Sequence, residues 1–152
     1  MSEPCLPAAD TPASRCLFYR QCGLAAAVQP ELGRIVVPAG RVGAITMPAR
    51  LGQEVKALMQ VRRRALGPII SHPRSGRWTY LVRPDLPDEV GLFAELFRLN
   101  VSVARYGAQI ALPSPADRSP CFRVWVEPPR DTFRPSASVV VAAIRLRAGH
   151  RG

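Results

Sequence analysis

The sequence predicts an α+β fold, with a mixed, mainly antiparallel sheet and about three helices packed on it. Three observations carry this. Short β-branched runs bounded by glycine or proline recur along the chain. Two other segments space their apolar residues at the helical period. The order is roughly ββαββαβββα, with pairs of strands between helices rather than the single alternation of a parallel wind. The 152 residues are 47% hydrophobic, enough for one domain with a real core, expected over residues 15–148. No internal repeat is present.

Residues 1–14 hold three prolines among small and polar residues and read as a disordered tail. Residues 149–152 read as a short C-terminal tail. Cys16 to Arg20 could begin a short helix that stops at Gly23. Arg34–Pro38 and Val42–Met47 are β-branched strands joined through Ala39-Gly40. Pro48 then opens the clearest helix, because a first-turn proline has no N–H to waste. Leu51, Val55, Leu58, Met59 and Arg62 share one stripe of it, opposite Gln53, Glu54, Lys56 and Gln60. Gly67-Pro68 breaks the helical pattern.

Ile69–His72 and Arg77–Arg83 follow as strands around the turn Pro73-Arg74-Ser75-Gly76. Alternation puts Trp78, Tyr80 and Val82 on one face and Arg77, Thr79, Leu81 and Arg83 on the other. A second helix is expected over about 88–99, with Val90, Phe93, Ala94 and Phe97 as its apolar face. Val101–Ala104 and Gln109–Leu112 read as a hairpin through Tyr106-Gly107, and residues 113–120 as a Pro/Ser loop. Phe122–Val126 alternates as a strand. Ser136 can cap a last helix over 137–148 ended by Gly149, although Val139-Val140-Val141 would also suit a strand.

The formal charge is +10, and of the 21 basic residues only Lys56 is lysine. Such a balance favours polyanions: nucleic acid, anionic lipid or an acidic protein. Abundant Arg, Ala, Gly and Pro also bear the imprint of a GC-rich coding sequence, which accounts for part of the charge. The four cysteines, Cys5, Cys16, Cys22 and Cys121, form no CxxC pair, and only His72 and His150 could join them at a zinc ion. Free, reduced thiols are expected. The start, Met1-Ser2-Glu3-Pro4, lacks a basic and an apolar signal region, so a cytoplasmic location is expected. No apolar run is long enough to span a membrane.

Three features could carry chemistry. His72, in Ser71-His72-Pro73-Arg74-Ser75-Gly76-Arg77, has a hydroxyl and two arginines nearby and could bind phosphate, or simply hold a turn. Arg62-Arg63-Arg64 could track a phosphate backbone, or complement the negative end of the helix dipole. Trp78, Tyr80 and Trp125 would stack bases if exposed, but aromatics on one face of a strand are expected in the core. Ser114-Pro115-Ala116-Asp117 carries a hydroxyl and a carboxylate in a loop, but with no histidine close by it makes a weak nucleophile claim. No phosphate-loop, dinucleotide-binding, serine-elbow or HExxH string occurs. The sequence implies no catalytic residue, no metal and no cofactor.

Two stretches carry a resemblance. Gly43-Ala44-Ile45-Thr46-Met47-Pro48-Ala49-Arg50-Leu51-Gly52 resembles a segment of actinobacterial proteins related to the N-terminal domain of bifunctional DNA primase/polymerases. In those proteins an apolar strand carrying aspartates runs into a Pro-Ala helix start. Phe122-Arg123-Val124-Trp125-Val126-Glu127-Pro128-Pro129, continuing through Arg134-Pro135, resembles their end. Within that group the chain looks most like short members often labelled as DNA-directed RNA polymerase subunit beta, a protein many times larger. The resemblance covers about residues 16–148 and implies a primase/polymerase-like fold. Nucleotidyl transfer would need carboxylates to hold divalent metals. Where those relatives place aspartate this chain has Gly43 and Thr46, and no Asp or Glu occurs between Glu31 and Glu54. The resemblance therefore implies a non-catalytic relative.

Three functions are open on this reading. The first is a domain that binds nucleic acid, or a replication or transcription complex, through Arg62, Arg63, Arg64, His72, Arg74 and Arg77. The second is an adaptor for an acidic protein partner, expected to show scattered arginines beside an apolar patch. The third is a nucleotide or small-molecule sensor, expected to show a deep cleft near Thr46 and His72.

Overall fold

The computed structural model describes residues 10–118 and 122–149. Its fold is α+β, with two sheets whose strand pairs are all antiparallel. The elements are α1 (Pro12–Gln21), β1 (Ala27–Gln29), β2 (Arg34–Pro38), β3 (Gly43–Pro48), α2 (Ala49–Val61), β4 (Ile69–His72), β5 (Arg77–Val82), α3 (Val90–Arg98), β6 (Ser102–Val103), β7 (Gln109–Leu112), β8 (Val124–Glu127) and α4 (Ala137–Gly149). A large sheet has the order β6-β3-β5-β4-β8, and a small sheet has β1-β2-β7.

The large sheet is a wall between two cores, because successive side chains of a strand point to opposite faces. On one face Ile45, Met47, Ile69, Trp78, Tyr80 and Val82 meet Leu51, Val55 and Met59 of α2, Leu92 and Leu96 of α3, and Val140, Val141 and Ile144 of α4. On the other, Ala44, Ile70 and Leu81 meet Phe18 and Tyr19 of α1, Ile35 and Val37 of β2, and Ile110 and Leu112 of β7. The alternation predicted for β5 is thus observed. Trp78 and Tyr80 are core, and Trp125 is half-buried with its Nε1–H donating to the Tyr19 hydroxyl at 2.9 Å. These aromatics form no exposed stacking face.

The structure departs from the sequence reading in four places. First, α1 opens at Pro12, inside the expected tail. Thr11 and Ser14 cap it reciprocally, and it ends at Gln21, with Cys22 as its cap and Gly23, at a φ of +80° that suits glycine, just beyond, close to the predicted stop. Residues 1–9 and 150–152 of the expected tails lie outside the described residues, and α4 runs through Gly149. Second, α2 ends at Val61, well before Gly67-Pro68.

Third, the hairpin predicted at 101–112 does not form, and the strands joined through Ala39-Gly40 do not pair with each other, whereas those around the 73–76 turn do. β2 and β3 join different sheets, as do β6 and β7. Residues 34–48 and 101–112 instead run antiparallel as one bent ribbon. β2 pairs with β7 and β3 with β6, and at the bend the Gly107 N–H donates to Ala39 O and the Ala104 N–H to Ala44 O. Ala39-Gly40 and Tyr106-Gly107 bend the ribbon from one sheet to the other without reversing it.

Fourth, α3 turns its other side inward. Leu92 and Leu96 are buried, while Val90 is 85% and Phe97 82% exposed. The helix has two apolar stripes, and the sheet takes the leucines. The last helix is confirmed over the strand alternative. Ser136 Oγ accepts from the Ser138 N–H and donates to Asp85, whose other oxygen also accepts from the Ser138 N–H.

Candidate functional site: a basic helix face and a polar cleft

The structure divides the six residues singled out in the sequence between two places. Arg62, Arg63 and Arg64 follow the C-terminal end of α2, and Arg74 lies on the β4–β5 turn beside its start. His72 and Arg77 line a cleft on the opposite side of the large sheet.

α2 starts beside the β4–β5 turn, where the Ala49 N–H donates to Gly76 O at 2.8 Å. Arg74 on that turn and Arg50 in the first turn of the helix are exposed. The arginine trio lies past the other end, about 20 Å away at the rise of a 13-residue helix. Between them Gln53, Ala57 and Gln60 form an exposed, uncharged stripe. Glu54, beside it, is half-buried.

The end of α2 is built in an unusual way. The Arg63 N–H donates to Gln60 O and the Arg64 N–H to Met59 O, the paired hydrogen bonds of a left-handed helix stop. Glycine suits the residue at the turn of such a stop and an apolar side chain the next. Here the first is Arg63, at φ +55°, and the second is the exposed Arg64. Both guanidinium groups border an open groove of about 650 Å³ whose other wall is Glu127 to Asp131 and Phe133.

The cleft sits in the corner of the bent ribbon and has a volume of about 290 Å³. Small residues, Ala44, Ala104 and Ala111, leave the space. Thr46, Thr79 and His72 from three neighbouring strands supply a polar floor. His72 Nε2 is 2.8 Å from Thr79 Oγ1, which is 2.8 Å from Thr46 Oγ1, so the three form one hydrogen-bonded chain. Burial, reinforced by Arg123 and Arg77, lowers the His72 pKa below its usual value and favours the neutral imidazole. Arg77 donates through Nη2 to the carbonyls of Thr46 and Asn100, at 3.2 and 3.0 Å. It thus holds the end of β3 to the turn after α3 while lending its charge to the cleft.

No carboxylate lines this cleft, and among the described residues no group of three or more His, Cys, Asp or Glu could hold a metal ion. Asp117 is buried and engaged by Arg123 at 3.3 Å and by the Ser114 N–H at 3.0 Å. Donors on an electropositive wall can receive an anion, but cannot clamp two cations for phosphoryl chemistry.

Sequence reasoning missed Thr79, Arg123 and Arg50. Thr79 had a legible signal, a polar residue alternating with buried apolar ones in a central strand. Arg123 had none, because its approach to His72 depends on β8 pairing with β4. Cys16 and Cys22 are buried and free, while Cys5 and Cys121 lie outside the described residues. Among the described residues, no helix is long and apolar enough to cross a membrane. No family model, no curated protein and no solved structure matches this chain.

Proposed function

We propose that this chain is a non-catalytic domain of primase/polymerase type that binds nucleic acid through the outer face of α2, with Arg62, Arg63, Arg64, Arg74 and Arg50 meeting phosphates. The observation that carries the reading is the helix stop at Arg63 and Arg64. A sequence shaped for stability alone would put glycine and an apolar residue there. Two exposed arginines favour a use for the charge over mere completion of the helix. The uncharged stripe between the basic ends leaves room for a backbone to lie along the helix.

Electrostatic binding of this kind is largely independent of sequence and weakens as salt rises, because condensed counterions are released. The test is fluorescence anisotropy with a labelled duplex at several salt concentrations. Replacing Arg62–Arg64 by Gln should weaken binding and reduce the log–log salt slope by about 0.9 for each phosphate that is no longer neutralised. No binding by the parent protein at about 50 mM salt, where this term is strong, would refute the reading.

A second reading is favoured by the cleft: a phosphate-bearing small molecule held by His72, Thr46, Thr79 and Arg77. It predicts saturable mononucleotide binding that His72→Ala abolishes and the Gln trio leaves unchanged.

A further inference from the structure

α3 carries two separate apolar stripes. Leu92 and Leu96 enter the core, while Val90, Phe93, Ala94 and Phe97 form a second stripe at the i, i+3, i+4, i+7 spacing of a helix seam. Val90 and Phe97 are largely exposed, and Phe93 is partly buried.

The stripe is its own complement. Laid against a second copy in the opposite direction, Val90 meets Phe97 and Phe93 meets Ala94, so each large ring faces a smaller side chain. The same pairing brings the exposed acids before one helix, Asp88 and Glu89, toward the exposed Arg98 that ends the other. No charged side chain lies within the stripe.

We propose that α3 is the surface through which two copies of this chain pair, antiparallel and about a two-fold axis. The occupant is a second copy, because a stripe that matches itself in size and end charge needs no other partner. Complete burial of the exposed parts of Val90, Phe93, Ala94 and Phe97 on both copies would hide at most about 800 Å², below the roughly 1,200 Å² of stable complexes and in the range of weak, transient ones. The dimer is therefore weak and reversible. Each chain carries a formal charge of +10, so the copies repel and added salt strengthens the pairing. That sign is opposite to the salt effect on nucleic-acid binding, and the two claims stand or fall separately.

Sedimentation equilibrium of the full chain tests the proposal, from about 5 to about 500 µM, the range an interface of this size calls for. The average mass should climb toward the dimer with concentration, and further at about 500 mM salt than at about 50 mM, because screening relieves the repulsion. Phe97→Glu and Val90→Glu should remain monomeric with unchanged circular dichroism, since both side chains are exposed. Leu32→Glu, at an exposed apolar residue between β1 and β2, should associate like the parent. A parent monomeric at every concentration would overturn the proposal. So would a Phe97→Glu variant that dimerises as the parent does, or a Leu32→Glu variant that loses association equally.

Discussion

Replacing Arg63 by glycine should stabilise the protein and weaken its hold on nucleic acid at the same time. Arg63 sits at φ +55° in the stop of α2, with its hydrogen bonds to Gln60 and from Arg64 to Met59 intact. Left-handed backbone costs a residue with a Cβ about 1–2 kcal/mol. Glycine avoids that, but returns about 0.5–1 kcal/mol through its freedom in the unfolded chain. Removing a cation near the helix end forfeits roughly another 0.3 kcal/mol. The net gain is about 0.5 kcal/mol, which for a chain of this length raises Tm by about 1–2 °C. Arg63→Ala is the control. It keeps the left-handed cost and loses the charge, so its Tm should lie at or slightly below the parent's. Both variants should lower the salt slope for duplex binding by about 0.9 if Arg63 meets one phosphate. Differential scanning calorimetry beside anisotropy reads both quantities. A glycine variant less stable than the alanine variant would refute the account of the helix stop. An unchanged slope in both would remove Arg63 from the binding face.

Three further outcomes are expected. The purified protein should neither extend primers nor start chains with Mg²⁺ or Mn²⁺, because no carboxylate lines the cleft; synthesis lost on Thr46→Ala or His72→Ala would show otherwise. Because burial lowers the His72 pKa from its ordinary 6.5, the unfolded chain binds the proton more readily, so the histidine's stabilisation is whole above pH 6.5 and declines as pH falls through the folded pKa. Denaturant titrations at pH 7.5 and 5.5 should show that loss in the parent and less of it in His72→Gln, an unaltered loss refuting the assignment. Asp117→Ala should destabilise by about 3 kcal/mol or more, since it strands Arg123 and the Ser114 N–H in partly buried surroundings; a change under about 1 kcal/mol would mean that water replaces the carboxylate.

The parts of the fold legible in the sequence were those fixed by local pattern. The α2 stripe, the two-residue alternation of β5, the turn at Gly76 and the cap at Ser136 each depend on neighbours a few residues apart. The illegible parts depend on a choice between equivalent local solutions. Ala39-Gly40 and Tyr106-Gly107 carry the chemistry of a reversal or of a bend, and only the distant match of β2 to β7 and β3 to β6 decides. In α3 the leucine stripe and the Val90–Phe97 stripe have the same period, and the sheet selects between them. The site followed the same division. The arginine trio was visible as a cluster, but its separation from His72 and Arg77 arises because α2 and the cleft use opposite faces of the large sheet. The chain Thr46–Thr79–His72 crosses three strands and needed their register.

The wall-like sheet with a core on each face also sets how this protein can change its length. Adding or deleting one residue within β5 would trade Trp78 and Tyr80 against Thr79 and Leu81, pushing two rings into the narrow side and a hydroxyl into the helix layer. A one-sided sheet can hide such a slip by turning its polar face outward, but this one has no spare face. Inherited insertions should therefore gather where the chain leaves the wall, at the turn 73–76 and within 113–118. Within β3 and β5 divergence should proceed by exchange of side chains alone, with each residue keeping to its own side.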